Sequence, residues 1–283
     1  MKIKEFLRLV RIEHGIMFAA AVFIGEIIAG KIPGIQILVL SLLIPLFSEM
    51  GAFALNDYLD IGADKANKRK ERPLVAGTIS PGFALWFSIL SLLFSTIISY
   101  FISLPIFILT LFLNVLAVAY NMKLKDLPLA GNTYIAFTMG IPFIFGNLVV
   151  SDFLFAPNII LFFLGFLAGL GREIVKSVED MHGDQIARGS NTLPILIGEK
   201  PSVLIAGFLY LIFIPISYLP FFIGLNGTII PYALITAGNL IVLYSIWFIT
   251  RKKYGEARKL TLIAFLFGLT GYLLSTSFFS LGL

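Results

Sequence analysis

Apolar runs long enough to cross a lipid bilayer follow one another along almost the entire chain. Of the 283 residues, 58% are hydrophobic and only 13% are charged, a balance far from that of a soluble globular domain. A membrane-spanning helix needs roughly 17 to 25 mostly apolar residues, and these aliphatic and Phe-rich runs lack the alternation of membrane β-strands. We therefore predict an all-α, polytopic membrane protein.

Nine apolar runs are separated by charged residues or by Pro and Gly. They lie at about 13–30, 36–57, 82–101, 104–120, 132–150, 157–175, 202–223, 228–250 and 260–280. The first run follows basic residues, as in a signal peptide, but it continues past three alanines to Ala29, so we interpret it as a span. The sequence predicts a single intramembrane domain over 1–283, with nine helices bundled around a central cavity.

The basic residues test this count of spans. With nine spans, every Lys and Arg except Lys31 falls on one side, and cytoplasmic loops near membrane ends are rich in these residues. The N-terminus is therefore predicted in the cytoplasm of a multi-pass cell-membrane protein, and the C-terminus outside. The formal net charge of +5 then lies at the cytoplasmic face, where it attracts anionic membrane lipids. Nothing in the sequence indicates binding to nucleic acid.

The first of two acidic clusters follows the second apolar run. Its polar members are Asn56, Asp57, Asp60 and Asp64. If the helix continues past Leu55, the three aspartates are spaced i, i+3 and i+7 and share one face. Carboxylates are costly near hydrocarbon and repel one another, so this cluster indicates a bound cation.

The second acidic cluster follows the sixth apolar run. Lys176, Asp180 and Asp184 continue a helical stripe that begins at Glu173. Both clusters face the cytoplasm if the nine-span count is right. Mg²⁺ prefers carboxylate, water and phosphate oxygens, so the two clusters predict a Mg²⁺ site that binds a diphosphate. The alternative is that these aspartates are solvated helix ends balanced by nearby Lys and Arg.

Other polar residues can complete an anion site. The candidate donors to a diphosphate are Arg72, Tyr120, Lys125 and Lys176, and candidates near the acceptor are Arg8, Arg11 and His14. Arginine suits bidentate phosphate recognition, whereas lysines and tyrosines at helix ends also serve as ordinary membrane anchors. The chain has no Cys, no Gly-rich phosphate loop and no HExxH motif, so neither a nucleotide cofactor nor zinc-protease chemistry is predicted.

The first cluster resembles a signature of the UbiA superfamily of intramembrane prenyltransferases. Their NDxxDxxxD motif after the second helix is complete here as Asn56, Asp57, Asp60 and Asp64, and Arg72-Pro73-Leu74 and Gly77 follow it as in the family. Asp180 and Asp184 resemble the family's second motif, DxxxD, and Tyr120 with Lys125 resembles its element after the fourth helix. Where many quinone-pathway members have Asn in the first helix, this chain has His14.

The resemblance implies a fold and a reaction. Arg172 to Gly198 looks most like family members that build archaeal ether lipids. The resemblance implies Mg²⁺-dependent transfer of a geranylgeranyl group from an isoprenyl diphosphate donor. The acceptor would be the glycerol hydroxyl of a lipid-like phosphate, geranylgeranylglyceryl phosphate. The diphosphate would be held through Mg²⁺ on Asn56 and the aspartates of both motifs.

Two alternatives to this function are open at the sequence level. One is a prenyltransferase of the same family that acts on an aromatic quinone precursor, which the sequence does not separate from a lipid acceptor. The other is an ion transporter that uses the acidic clusters as a permeation site. Transporter sites usually lie near the bilayer midplane, whereas both clusters are at helix ends, which favours the enzyme.

Overall fold

Helices overlap all nine apolar ranges predicted from the sequence. The structure, a computed structural model, describes residues 3–66, 69–189 and 191–276, with the backbone alone at 66 and 182–188. In chain order the helices are α1 (Ile3–Val10), α2 (Ile12–Ile28), α3 (Ile35–Leu59), α4 (Ile61–Ala66), α5 (Pro81–Tyr100), α6 (Leu104–Met122), α7 (Ala130–Val150), α8 (Ala156–Arg188), α9 (Leu193–Ile197), α10 (Glu199–Ile216), α11 (Leu219–Phe222), α12 (Ile229–Thr250) and α13 (Tyr254–Leu274). A 3₁₀ turn covers Leu124–Asp126, and the described residues contain no strand.

Eight helical segments in the described part of the chain are long and apolar enough to cross a membrane. They are α3, α5, α6, α7, the first part of α8 to Met181, α10 with α11, α12 and α13. The remaining apolar helix, α2, has 17 residues and extends about 26 Å at 1.5 Å per residue. The protein is therefore a multi-pass membrane protein.

The outward faces of the helices carry large apolar side chains at helical spacing. On α5, Trp86, Leu90 and Leu93 are exposed, and on α10 the exposed residues include Leu204 and Phe208. Such stripes are unfavourable in water but natural against lipid chains. The exposed surface therefore agrees with burial of these helices in a bilayer.

Small residues and amides hold the helices together inside the bundle. A Cβ atom at Gly140 would clash with the backbone of Phe162 on α8, so α7 and α8 approach closely there. The fully buried Asn158 of α8 donates to the carbonyl oxygens of Gly25 on α2 (2.9 Å) and Phe143 on α7 (3.0 Å). Interhelical hydrogen bonds and small-residue contacts of this kind replace the hydrophobic effect as the cohesive force in lipid.

Two helices extend beyond the apolar runs that predicted them. The run near 157–175 belongs to α8, which continues to Arg188, and α13 begins at Tyr254 rather than near 260. Charged residues end an apolar run without ending a helix, because the backbone hydrogen bonds continue in the aqueous layer. The extension of α8 carries the second acidic cluster, so its predicted helical stripe is present.

Candidate active site

The first acidic cluster lies where α3 ends and α4 begins. Asp60 caps the C-terminus of α3, and its backbone N–H donates to the carbonyl oxygen of Asn56 at 2.9 Å. The N–H of Asp64 then donates to the carbonyl of Asp60 at 2.8 Å, so the helical register continues across the junction. Asp57, Asp60 and Asp64 are buried, with 2%, 8% and 2% of their surface exposed. Buried carboxylates must be neutralised or paired, and each of the three has a cationic partner.

Asp57 is held by two arginines. Arg72 Nη1 lies 2.6 Å and Arg11 Nη2 lies 3.2 Å from the same oxygen, Oδ1. The other oxygen, Oδ2, is buried and has no hydrogen-bond partner among the described residues. Arg11 forms the joint between α1 and α2 with a left-handed φ of 44°, and its guanidinium lies 4.3 Å above the ring of Phe53. Burial and the charge of Arg72 lower the pKa of Arg11, and the two nearby carboxylates Asp57 and Asp64 raise it.

Asp60 links the end of α3 to the turn after α6. Lys125 Nζ lies 2.6 Å from Asp60 Oδ1, while Asn56 Nδ2 donates to Asp60 Oδ2 at 3.0 Å. The same amide nitrogen donates to Asn121 Oδ1 at 3.0 Å, and Asn121 is itself fixed by a bond to the carbonyl of Ala117. The side-chain nitrogen of Asn56 is thus already used in two hydrogen bonds, and its side-chain oxygen, Oδ1, is the atom that can bind a metal or another ligand.

Asp64 connects the cluster to the loop after α4. Arg69 Nη1 lies 3.2 Å from Asp64 Oδ1, and Arg72 Nε lies 3.8 Å from Asp64 Oδ2. Arg72 therefore interacts with both Asp57 and Asp64. From the sequence, Arg72 was predicted to donate hydrogen bonds to a diphosphate. In the structure it is paired with the carboxylates that would hold the metal.

The second acidic cluster lies on the extension of α8, which packs against α4. Asp180 is half-buried, and the predicted side-chain role of Asp184 lies outside the described residues. Lys176 Nζ lies 3.2 Å from Glu173 Oε2. Asp180 and Tyr120 are close enough to interact electrostatically with the ammonium group of Lys176. The elements that carry both motifs and the end of α6 therefore meet at one end of the bundle.

A mainly apolar cavity of about 60 Å³, with a few polar residues such as Ser48 and Glu49 in its wall, lies below the first cluster. Ala52 and Glu49 line it from α3, one and two turns below Asn56, and Ala117 lines it from α6, one turn below Asn121. Tyr134 of α7 completes this wall, and its ring stacks on Tyr120 with the centroids 4.6 Å apart. An apolar chain whose head group lies at the first cluster can thus extend into the bundle.

The three residues predicted near the acceptor do not form one group. Arg8 is exposed and pairs with Glu5 at 3.2 Å. The ring of His14 packs edge-on against Phe53, with centroids 5.2 Å apart. The guanidinium of Arg11 is close enough to interact electrostatically with the imidazole of His14. Arg11 and His14 therefore meet over Phe53, and Arg8 lies apart from them.

The sequence profile of the UbiA prenyltransferase family matches residues 17–269, which is most of the chain. This protein belongs to the UbiA prenyltransferase family. The match confirms the resemblance that the two acidic motifs indicated, and with it the assignment as an enzyme.

Relatives with an assigned name and solved structures of UbiA homologs extend the match. The chain is 35% identical over 277 residues to digeranylgeranylglyceryl phosphate synthase from Archaeoglobus fulgidus, covering 95% of this chain and 94% of the relative. It shares 28% identity and a TM-score of 0.76 with a solved structure from work on digeranylgeranylglyceryl phosphate synthase in membranes, covering 96% and 97% of the two chains. A UbiA homolog from Archaeoglobus fulgidus, solved with DMAPP and Mg²⁺, shares the fold with a TM-score of 0.66 at 19% identity, over 95% of this chain and 99% of that one.

The oxygen atoms of the first UbiA motif are of the type that binds Mg²⁺. Asn56, Asp60 and Asp64 offer amide and carboxylate oxygens, and Asp57 Oδ2 is a buried oxygen without a hydrogen-bond donor, so the donor set fits a hard divalent cation. No three acidic or histidine side chains form a ready metal-binding group among those that the structure describes. The carboxylates are paired with Arg and Lys instead.

Two residues of the cluster were not singled out from the sequence. Arg69 pairs with Asp64, and Asn121 fixes Asn56. Asn121 directly follows Tyr120 at the end of an apolar run. An amide without a hydrogen-bond partner is unfavourable there, so its position in the sequence could have identified Asn121 as a residue with a polar partner. Arg69 is one of several basic residues in its loop, and the sequence does not distinguish it from them.

Proposed function

We propose that this UbiA-family enzyme transfers a geranylgeranyl group from its diphosphate to the glycerol hydroxyl of geranylgeranylglyceryl phosphate. The products are digeranylgeranylglyceryl phosphate and diphosphate, and the new bond is the second ether bond of an archaeal membrane lipid. Relatives of this name, one of them 35% identical over 95% of this chain, favour this acceptor over an aromatic quinone precursor. The observation that carries the reaction type is the buried cluster of carboxylates and cations above a membrane-embedded cavity.

The donor's diphosphate is proposed to lie between the two acidic motifs. Mg²⁺ would be held by oxygens of Asn56, Asp57, Asp60, Asp64, Asp180 and Asp184. When bound there, Mg²⁺ supplies positive charge that neutralises the diphosphate and stabilises it as a leaving group. No nucleotide cofactor takes part. The packing of α4 against α8 supports a shared site, because it brings the two motif-bearing helices together.

The cations of the cluster have two proposed roles. Arg11 precedes Asp57 in the sequence and Arg72 follows it; both bind its carboxylate and keep it in place when no diphosphate is present. The ammonium groups of Lys125 and Lys176 lie beside Asp60 and Glu173, and each is proposed to turn toward the diphosphate oxygens when the donor binds. Tyr120 offers a further hydroxyl donor at the same place.

The reaction then breaks one bond and forms another. The allylic C1–O bond of the donor breaks with its electron pair leaving on the diphosphate, and C1 acquires cation character. The acceptor's hydroxyl oxygen attacks C1, the ether bond forms, and the hydroxyl proton passes to the departing diphosphate. Apolar helix walls exclude water, which would otherwise capture the same carbon and give the alcohol.

The membrane topology belongs to the same proposal. We take α2 as the ninth span, which makes residues 1–283 a single intramembrane domain around a central cavity. The distribution of Lys and Arg then places the N-terminus in the cytoplasm, the C-terminus outside and the active site at the cytoplasmic face of the cell membrane. Eight apolar helices and the clustering of the charged residues at one end of the bundle support this arrangement.

A product assay tests the proposal. Purified protein in lipid nanodiscs is incubated with geranylgeranyl diphosphate, Mg²⁺ and either geranylgeranylglyceryl phosphate or an aromatic quinone precursor, and the lipids are analysed by mass spectrometry. We expect the doubly alkylated glyceryl phosphate, and no such product when EDTA is present. Prenylation of the aromatic acceptor alone would overturn the choice of acceptor, and turnover in EDTA would overturn the role of the metal.

A further inference from the structure

One charged side chain lies inside the bundle, away from both acidic motifs. Glu49 is the only charged residue of α3 between Ile35 and Leu55, and it lines the cavity below the first cluster. A carboxyl group within the apolar part of a membrane-spanning helix is unfavourable, and such residues commonly serve a function. The proposed binding of the diphosphate makes no use of Glu49, so this residue is available for another step.

Glu49 also differs from the serine, threonine and asparagine residues in the wall of this cavity. Each of those side chains donates a hydrogen bond to another group of the protein; they are Ser48, Thr110, Asn114 and Thr138. Glu49 has neither a hydrogen bond nor an ion pair to any residue that the structure describes. A polar group away from bulk water without a partner is costly. The carboxylate of Glu49 is therefore free to face a molecule that enters the cavity.

The position of Glu49 along α3 sets its depth below the first motif. It precedes Asn56 by seven residues, which is about 10 Å of helix at 1.5 Å per residue. A metal–oxygen bond of about 2 Å and the length of a diphosphate group take up most of that depth. Ala52 lies between the two on the same face and presents only a methyl group to the cavity. The first carbons of a donor chain that descends from the motif therefore lie beside Glu49.

These first carbons carry the positive charge of the reaction. When the C1–O bond of an allylic diphosphate breaks, the charge is shared between C1 and C3, and C3 lies farther from the departing diphosphate. An anionic group beside C3 stabilises the cation, most strongly where water is excluded. Phe18 and Tyr134 line the same cavity, and the faces of aromatic rings also attract cations.

The cation nearest to Glu49 is already bound elsewhere. The guanidinium of Arg11 lies over the ring of Phe53, one turn above Glu49 on α3, and is close enough to interact electrostatically with the carboxylate. Arg11 donates its hydrogen bond to Asp57, however, at 3.2 Å. Arg11 therefore attracts the charge of Glu49 and leaves both of its oxygens to a ligand.

We infer that Glu49 is a catalytic residue that stabilises the allylic cation of the donor through its negative charge. This inference rests on the proposed function and deepens it, because it supplies a counter-charge on the carbon side of the breaking bond. The electron pair of the C1–O bond leaves with the diphosphate, and the carboxylate faces the cation without bonding to it. The acceptor oxygen then forms the ether bond at C1. The hydroxyl proton passes to the diphosphate, so Glu49 neither takes nor gives a proton.

Removing the charge of Glu49 tests this role. Enzyme in nanodiscs, in molar excess over geranylgeranyl diphosphate, cleaves the donor with saturating geranylgeranylglyceryl phosphate or without acceptor, where water captures the cation and gives the alcohol. We expect Glu49→Gln to slow both reactions about 100-fold, the scale for one charge that acts on a buried transition state. Glu49→Asp keeps the charge and should be faster than Glu49→Gln in both.

Two further measurements exclude a defect of folding or binding. Because the carboxylate of Glu49 has no partner among the described residues, Glu49→Gln should melt as the wild type does. It should also bind a non-reactive thio-analogue of the donor within about twofold of the wild-type affinity. Glu26→Gln is the matched control, since Glu26 is a fully buried carboxyl group of α2 that does not line this cavity. It should leave both rates within about twofold.

Two results would overturn the inference. One is wild-type rates in Glu49→Gln. The other is slow transfer with undiminished hydrolysis, which would mean that Glu49 acts on the acceptor's hydroxyl and not on the cation. In either case the wild type would still form the ether, and the proposed function would stand. A wild type that cleaves the donor with the expected dependence on Glu49, but never alkylates the glyceryl phosphate, would instead refute the proposed function and leave the role of Glu49 in place.

Discussion

The ammonium group of Lys125 lies 2.6 Å from Oδ1 of Asp60. These residues are 65 positions apart in sequence, and the bridge joins the turn after α6 to the end of α3. Both side chains are largely buried, with 9% and 11% of their surfaces exposed. In the proposed catalytic cycle Asp60 turns to the metal, and Lys125 is released to the diphosphate.

Replacing Lys125 removes a donor that stabilises the leaving group. We expect Lys125→Gln to lower kcat of the folded protein by about 100-fold or more, the scale for loss of one oriented donor in a buried site. The melting temperature in detergent should also fall, because Asp60 is left largely buried without its cation. Lys123→Gln is the matched control, because Lys123 is exposed two positions earlier. Equal losses in the two variants would mean that net charge, rather than the position of Lys125, is what matters.

Asp57 is the structural anchor of the first cluster. Its side chain is 1% exposed and binds Arg11 and Arg72, so Asp57→Asn leaves two partly buried guanidinium groups without the carboxylate between them. Breaking a buried ion pair from one side costs about 3–5 kcal/mol. We expect a clear fall in thermal stability in detergent, measured by the melting temperature. The exposed neighbour of Arg72 supplies the control, Glu71→Gln, which should melt as the wild type does.

Asn121 is expected to act on the metal through Asn56. It accepts a hydrogen bond from Asn56 at 3.0 Å, which directs the carbonyl oxygen of Asn56 toward a ligand. Loss of such an outer partner typically weakens metal binding about 10- to 100-fold. Asn121→Ala should therefore raise the Mg²⁺ concentration for half-maximal activity by about that factor.

A second interior amide, Asn239, provides a control that distinguishes an effect on the orientation of Asn56 from a general loss of protein stability. Asn239 is buried and donates to Ser217 at 2.9 Å, on helices that carry neither acidic motif. Asn239→Ala should lower the melting temperature without changing the Mg²⁺ requirement. If Asn121→Ala behaved in the same way, its proposed effect on Asn56 would be refuted.

The sequence located the helices because the bilayer imposes a length and an apolar surface on each of them. Every predicted apolar range contains a helix, including the one with Pro142 in its interior. The ends were less predictable, as with α8, where charged residues mark the membrane boundary but the helix continues to Arg188. Sequence periodicity records which face is apolar, and it does not record where an exposed helical extension stops.

The sequence also identified the acidic motifs but not their partners. Arg11 and Asp57 are 46 positions apart, and only the packing of α1 and α2 beside α3 brings them together. Arg69 could not be distinguished from its basic neighbours before its bridge to Asp64 was seen. Residue type and spacing thus predicted the chemistry of the site, whereas the pairing of charges depends on contacts between helices.

The central claim is that the two acidic motifs share one metal site. Mn²⁺ in place of Mg²⁺, titrated in the presence of a non-reactive thio-analogue of the donor diphosphate, reports binding directly by electron paramagnetic resonance. We expect Asp60→Ala and Asp180→Ala each to weaken Mn²⁺ binding by at least about tenfold in protein that still melts cooperatively. Wild-type Mn²⁺ affinity in Asp180→Ala would contradict the account, because the second motif would then lie outside the site.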